Sequence, residues 1–151
     1  MKRLGGVIPA LLTPFDKAGE VDQTLLEKQI TYFAKARVHG LFACGTTAEG
    51  AYLSREERRS ILTAVKRNLS SDQAACLAVL LPSTRQVLEE IEALSDLEPD
   101  FISVPTPFYY AVSQNALVDH FKRIADAARS PVIIYNIPQN THNVIDAETI
   151  I

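Results

Sequence analysis

Five short apolar runs recur along the chain, and polar or turn-forming residues bound each of them. They occupy residues 7–12, 41–44, 75–81, 101–104 and 132–135. Because consecutive positions are apolar, both faces of each run are expected to be covered, as in a parallel sheet that lies under helices. The pattern therefore predicts five buried strands.

The longer segments between these runs show the spacing of amphipathic helices. The second of them begins at Ser54 with Glu57 three residues later, the pattern of a capping box. Its apolar stripe predicts contact with the sheet, and the charged residues between the stripe positions are expected to face water: Arg55, Glu56, Arg58 and Arg59. Further helices are predicted before Gly40, over 83–94 and 114–128, and from Asp146 onward.

The chain thus alternates strand and helix, with a period of about 30 residues that is typical of right-handed βαβ units. Two α/β architectures fit. One is a doubly wound, flavodoxin-like sheet with strand order 2-1-3-4-5, which would bind a small ligand. The other is a (β/α)8 TIM barrel truncated to about its first five βα units, with strands in chain order. Pro14 removes a backbone N–H that a phosphate-binding loop after the first strand would need, and this favours the barrel.

Composition places the chain among folded globular proteins and excludes several functions. It has 151 residues, 47% hydrophobic and 22% charged, with a formal net charge of −3. That charge offers no basic footprint for nucleic acid, and no apolar run is long enough to span a membrane. The N-terminus reaches Pro9 and Pro14 too soon for a signal peptide.

The cysteines and histidines indicate neither a disulfide framework nor a metal site. Cys44 and Cys76 lie in apolar runs and are expected to be buried free thiols, which suits a reducing cytoplasm. His39, His120 and His142 have no ligand spacing. We therefore expect no metal and no organic cofactor.

Chemistry in both architectures belongs at the carboxyl ends of the strands. The second strand is followed by residues 45–50, GTTAEG. The glycines permit a tight turn, and the hydroxyl and backbone N–H groups of Thr46 and Thr47 form a donor cluster that suits a carboxylate. The alternative is an ordinary polar turn before the helix at Ser54.

Aromatic residues mark the ends of the last two strands. Residues 105–110, PTPFYY, follow the fourth strand and are expected to line a pocket, meet another subunit, or pack over the rim of the sheet. Tyr135 ends the fifth strand, where its hydroxyl can relay a proton if a neighbouring group supports it. The alternative is that Tyr135 is simply a good strand residue.

Together these motifs resemble those of the pyruvate-dependent class I aldolases and synthases, the family that includes dihydrodipicolinate synthase and N-acetylneuraminate lyase. The matching segments run in order along almost the whole chain: the opening strand at 6–15, GTTAEG at 45–50 against a family GTTGE, the helix start at 53–58, TPFY at 106–109 and YNIP at 135–138. The resemblance implies a (β/α)8 barrel, and a lyase or synthase assembled as a tetramer of tight dimers.

The resemblance also implies roles for individual residues. Thr46 and Thr47 would bind the carboxylate of pyruvate, and Thr46 would also pass protons. Gly45 would belong to the same substrate-binding site. Tyr135 would be the proton donor and acceptor. Tyr109 would reach across the dimer interface into the neighbouring site. The chemistry would be that of a protonated imine acting as an electron sink, with no cofactor.

Three departures from the family pattern bear on activity and substrate. The imine-forming lysine of the family lies on the sixth strand, beyond residue 151, so this chain alone is expected to be inactive. Asn140 stands where dihydrodipicolinate synthases carry an arginine that binds an acidic second substrate. Residues 80–82, LLP, replace a glycine-containing stretch. The expected substrate is therefore pyruvate or a related 2-keto acid, with the acceptor left open.

The sequence thus predicts that residues 1–151 are the N-terminal portion of one TIM-barrel domain, with no second domain. The parent protein is expected to be a cytoplasmic homo-oligomer with a small-molecule 2-keto acid substrate and neither nucleic-acid nor membrane partners. The alternatives are a non-catalytic half-barrel that pairs with itself or another chain, and the doubly wound ligand-binding sheet.

Overall fold

A computed structural model describes residue 2 and residues 4–150 of the chain. Four strands form one sheet: β1 (Gly40–Ala43), β2 (Ala74–Ala78), β3 (Phe101–Pro105) and β4 (Val132–Tyr135). Each pairs in parallel with the next, and the order across the sheet is β1-β2-β3-β4. Four of the five predicted strands are therefore confirmed.

The first predicted strand, residues 7–12, is wrong as a regular strand, although the segment does lie beside β1. The amide of Leu11 donates to the carbonyl of Phe42 and the amide of Phe42 donates to Pro9, both at 2.9 Å, around a single parallel bridge between Ala10 and Phe42. One step toward the N-terminus, the ladder would need an N–H from Pro9, which proline lacks. The ladder therefore stops at one bridge.

The order of the strands decides between the two predicted architectures. With residues 9–11 beside β1, the order across the sheet is the order along the chain. A doubly wound sheet would place its first strand between the second and the third. The doubly wound prediction is therefore wrong, and the chain has the strand arrangement of a (β/α)8 barrel.

Helices connect the strands, and the four longest begin at side-chain caps. They are α1 (Gln23–Lys35), α2 (Arg55–Asn68), α3 (Thr84–Ala93), α4 (Gln114–Ala127), α5 (Pro138–Thr141) and α6 (Ala147–Ile150). The predicted capping box is confirmed, because Ser54 and Glu57 each accept a hydrogen bond from the other's backbone amide. The sequence pattern does not indicate α5 or the short 3₁₀ turns at Thr46–Ala48 and Ser95–Leu97.

Burial follows the position of each strand in the sheet. Every residue of β2 and β3 is buried, whereas every residue of β4 is only half-buried. The difference arises because β4 is the last strand of the sheet as described, so one of its edges has no strand neighbour there. No helix in the described part of the chain is long and apolar enough to cross a membrane.

One residue of α2 is buried although the sequence pattern assigns it to the solvent face. The sequence pattern predicts that Arg58 faces water, but it is 4% exposed and lies between α2 and α3. Its guanidinium group donates from Nε to Oε1 of Glu90 at 2.8 Å, and Glu90 is also buried. The arginine is buried because a carboxylate on the next helix compensates its charge.

Candidate functional site

A cavity of about 390 Å³ opens at the carboxyl edge of the sheet. The loops after all four strands contribute to its lining, which includes Thr46, Glu49, Leu80, Phe108, Ile137 and Asn140. Its volume lies within the range of small-molecule sites. The cavity is therefore where this fold is expected to carry its chemistry.

The GTTAEG turn after β1 is held in one conformation by its own backbone. The carbonyl of Gly45 accepts from the amides of Ala48 and Gly50, both at 3.0 Å, and Thr13 Oγ1 donates to the carbonyl of Ala48 at 2.8 Å. A Cβ atom at position 50 would lie 1.7 Å from the carbonyl oxygen of Cys44, so only glycine fits there. The turn is thus pre-organised.

Thr46 and Thr47 begin the 3₁₀ turn and are both exposed. Within the described residues, their hydroxyls and backbone amides make no hydrogen bond, while the neighbouring amides of Ala48 and Gly50 are used inside the turn. Thr46 lines the cavity; Thr47 is not among its lining residues. The turn therefore presents donors that are free to bind an oxygen ligand.

Tyr135 is the last residue of β4 and is paired in register with Pro105, the last residue of β3. Because the sheet is parallel, it lies at the same edge as the turn that carries Thr46 and Thr47. Its side chain is half-buried, and it is not among the residues that line the cavity. The fold thus places Tyr135 at the carboxyl edge of the sheet, outside the lining of the cavity.

Tyr109 projects from the loop between β3 and α4. Its backbone has φ +81°, and its side chain is 83% exposed, with its ring centroid 4.9 Å from that of Tyr110 in an edge-to-face contact. Neither tyrosine lines the cavity, whereas Phe108 does. This loop, called the aromatic loop below (residues 106–113), therefore contributes Phe108 to the pocket and Tyr109 and Tyr110 to the outer surface.

A buried ion-pair network supports the GTTAEG turn from beneath. Arg58 Nη1 donates to the carbonyls of Gly50 and Leu53, and Glu90 accepts from both Arg58 and Arg55. Burial raises the pKa of Glu90, but the hydrogen bonds from the two arginines outweigh it and hold that pKa below the usual 4.5. Sequence reasoning missed this network because its members lie on different helices.

His120 supports the aromatic loop in a similar way. It is 1% exposed, and its Nε2 lies 3.2 Å from the carbonyl of Pro105 while its Nδ1 lies 2.8 Å from Thr84 Oγ1. A carbonyl only accepts, so Nε2 carries the proton, and Nδ1 of the neutral ring accepts from the Thr84 hydroxyl. Desolvation lowers the pKa of His120 below 6.5, which keeps the ring neutral.

The neutral state of His120 predicts how the stability of the chain depends on pH. Because the pKa of His120 is lower in the folded chain, the unfolded chain binds more protons as the pH falls through about 6.5. The free energy of unfolding therefore decreases as the pH falls through that value. We expect the free energy of unfolding to fall between roughly pH 7.5 and pH 5.5 in urea titrations. His120→Gln should lose this decrease, and the exposed His142→Gln should keep it. An unchanged decrease in His120→Gln would contradict the assignment.

The two cysteines are buried and free, as predicted. Desolvation raises the pKa of Cys44 to about 12 and that of Cys76 to about 11. Both thiols are therefore protonated at neutral pH, and neither has the character of a nucleophile. Within residues 2 and 4–150, no group of three or more His, Cys, Asp or Glu side chains is arranged to hold a metal ion.

Comparison with known proteins places this geometry in a family. The profile of the dihydrodipicolinate synthetase family matches residues 3–151. The chain belongs to that family. The predicted resemblance is thereby confirmed, and the predicted barrel agrees with the strand order described above.

Individual members of the dihydrodipicolinate synthetase family match this chain over about half of their own length. It is 36% identical over 146 residues to a 4-hydroxy-tetrahydrodipicolinate synthase of Staphylococcus carnosus, covering 97% of this chain and 49% of that one. It superposes on the pyruvate complex of dihydrodipicolinate synthase from Acinetobacter baumannii with a TM-score of 0.90 and 33% identity. The match covers 95% of this chain and 50% of that one. A sialic acid aldolase of Ruminococcus gnavus, solved as a catalytic lysine mutant, superposes with a TM-score of 0.88 and 27% identity. The match covers 99% of this chain and 50% of that one. The chain thus spans about half the length of the relatives it matches.

Proposed function

We propose that residues 1–151 form the N-terminal portion of one barrel domain in a carbon–carbon lyase or synthase. The substrate is pyruvate or a related 2-keto acid, bound as a protonated imine. The observation that carries the proposal is the pre-organised turn with two unengaged threonines beside the cavity, in a member of this family. The pyruvate complex of the Acinetobacter relative supports the choice of substrate.

The GTTAEG turn binds the carboxylate of the substrate. The two threonines supply hydroxyl and amide donors on consecutive residues, and a carboxylate has two oxygens that accept such bonds. The backbone of Gly45 holds the turn in place, because its carbonyl accepts hydrogen bonds from the amides of Ala48 and Gly50. A rigid donor pair binds the substrate with little loss of conformational entropy.

Hydroxyl groups at the carboxyl edge of the sheet transfer the protons. Forming an imine from an amine and a ketone releases water, so protons move at the carbinolamine oxygen and at nitrogen. Tyr135, at the end of β4, is the donor and acceptor, Thr46 passes the proton, and Tyr109 of a neighbouring subunit completes the relay. The exposure of Tyr109 supports a role outside its own half-barrel.

The amine comes from outside this chain. The six lysines are Lys2, Lys17, Lys28, Lys35, Lys66 and Lys122, and none of them lines the cavity. Lys2 pairs with Asp100, and Lys66 donates to the carbonyl of Glu98. The resemblance to the family implies that the nucleophile is a lysine of the sixth strand. The catalytic lysine of the Ruminococcus aldolase supports a lysine in that role.

Assembly and location follow from the same reasoning. The exposed pair Tyr109 and Tyr110 supports a homo-oligomer, a tetramer of tight dimers, in which these rings are covered. The buried free thiols suit the reducing cytoplasm. A non-catalytic half-barrel is the second candidate, and the absence of a lysine from the cavity lining favours it for the chain on its own.

Borohydride trapping with pyruvate distinguishes the two candidates. We expect mass spectrometry to find no stoichiometric adduct on any lysine of the isolated chain, because a solvated amine is protonated at neutral pH and a poor nucleophile. Joined to a lysine-bearing second half-barrel, the chain should give one adduct on that lysine. Thr47→Val should slow trapping roughly tenfold or more, because hydrogen bonds to a charged group are lost.

Thr24→Val is the matched control, since Thr24 is exposed on the first turn of α1, away from the cavity. It should trap pyruvate at the rate of the unmodified protein. A single stoichiometric adduct on the isolated chain would contradict the placement of the nucleophile. Equal trapping by Thr47→Val and Thr24→Val would contradict the carboxylate site.

A further inference from the structure

The aromatic loop, residues 106–113, is bound along its length by one side chain from the loop after β4. Asn143 is 5% exposed, and its Nδ2 donates to the carbonyls of Pro107 and Tyr110, both at 2.9 Å. Its Oδ1 accepts from the amide of Val112 at 2.9 Å. Because carbonyl oxygens only accept hydrogen bonds, the atom of the Asn143 side chain that faces these two carbonyls is its nitrogen. The contacts therefore fix the orientation of the side-chain amide.

These bonds surround a residue in an unfavourable backbone conformation. Tyr109 has φ +81°, a region that side-chain-bearing residues rarely adopt and that persists only where the surroundings impose it. Its own ring does not impose it, because 83% of the side chain is exposed. The carbonyls bound by Asn143 lie two residues before Tyr109 and one residue after it, so the clamp spans the strained position.

The contacts that Thr106, Phe108 and the carbonyl of Pro105 make with other segments all lie on the N-terminal side of Tyr109. Thr106 Oγ1 donates to the backbone carbonyl of Asn143 at 3.4 Å, and His120 binds the carbonyl of Pro105. The amide of Phe108 donates to the carbonyl of Pro82 at a long 3.4 Å. Asn143 alone of these partners reaches both sides of Tyr109.

We propose that Asn143 is a positioning residue that holds residues 107–112 in the conformation from which Tyr109 projects at the carboxyl edge of the sheet. The inference rests on the role of Tyr109 in the proposed function. When the Asn143 amide is removed, the carbonyls of Pro107 and Tyr110 bind water instead, and Tyr109 relaxes toward ordinary backbone angles. Tyr109 then no longer points where a neighbouring site needs it.

Limited chymotrypsin cleavage of the full chain tests the clamp directly. Asn143→Ala should raise the rate of cleavage after Phe108, Tyr109 and Tyr110 roughly tenfold or more relative to the exposed control Asn115→Ala, because cleavage follows the population of the opened loop. Cleavage after the exposed Tyr32 and Tyr52 serves as an internal control and should change less than about twofold. An equal rise at all these sites, or none at the loop, would overturn the proposal.

Hydrogen exchange on the unmodified chain tests the same contact and does not depend on the variant folding. The amide of Val112 is bonded to Asn143, whereas the amide of its neighbour Ala111 has no partner within the described residues. We expect Val112 to exchange roughly tenfold or more slowly than Ala111, after correction for intrinsic rates. Equal exchange would overturn the clamp.

Kinetics on the protein joined to its lysine-bearing half separate positioning from a general loss of structure. Asn143→Ala should lower kcat about tenfold and leave KM within about twofold, since Tyr109 relays protons and the threonines bind the carboxylate. Asn115→Ala should change neither. An unchanged kcat in Asn143→Ala would overturn the role. If the unmodified protein does not turn over a 2-keto acid, the proposed function fails, and the cleavage pattern and exchange rates still decide the clamp.

Discussion

Glu90→Ala is expected to lower the free energy of unfolding by about 3–5 kcal/mol, because it leaves the buried guanidinium group of Arg58 without its counter-charge. Arg58 is 4% exposed and donates to Glu90 at 2.8 Å, so water cannot replace the lost carboxylate without opening the contact between α2 and α3. The same loss should loosen the carbonyls of Gly50 and Leu53, which Arg58 also binds. Urea denaturation at neutral pH measures the change.

Glu89→Ala is the matched control on the same helix. Glu89 is exposed, and its ion pair with Arg85 is a surface contact at 3.5 Å, so the expected change is within about 1 kcal/mol. Glu90→Gln retains one acceptor without the charge and should fall between the two. If Glu90→Ala proved no more destabilising than Glu89→Ala, the network would have no structural role.

Gly50→Ala should destabilise the chain by about 3 kcal/mol and disrupt the GTTAEG turn, because its Cβ would lie 1.7 Å from the carbonyl oxygen of Cys44. The obstructing atom belongs to the backbone, so no change of rotamer relieves the overlap. The turn must move, and the amide of Gly50 loses its bond to Gly45. Pyruvate trapping by the completed barrel should fall together with stability.

The control for this substitution is Gly5→Ala, where nothing lies within 4 Å of the added Cβ. We expect its unfolding midpoint in urea to stay at that of the unmodified chain. A Gly50→Ala protein with the same midpoint and the same trapping rate would show that the turn tolerates a side chain, and the requirement for glycine would be wrong.

The fold is largely predictable because it depends on burial along short segments. Runs of consecutive apolar residues predict strands covered on both faces, and the completely buried β2 and β3 agree with this. The failure at residues 7–12 has a local cause, since Pro9 cannot donate where the ladder needs an N–H. An apolar pattern reports burial, but it does not report which backbone donors are present.

The contacts that support the site are not predictable, since they join residues distant in the sequence. The helical pattern assigns Arg58 to the solvent face, and its partner Glu90 lies on another helix. Asn143 likewise stands in a polar stretch that looks like any loop, yet it binds three positions of another loop. The motif residues are recognised by their resemblance to the motifs of the family, whereas the residues that support them depend on tertiary contacts.

The one-after-another pairing of β1 to β4 has a consequence for synthesis on the ribosome. Each pairing closes only one helical connection, so the entropy lost in closing it is smaller than for strands that lie farther apart in the chain. β1 and β2 can therefore pair as soon as both have emerged from the ribosome, before β3 has emerged. The outer edge of β4 has to wait for a further strand in the barrel that we propose, and that interval is when the nascent chain is most exposed to misassembly with its neighbours.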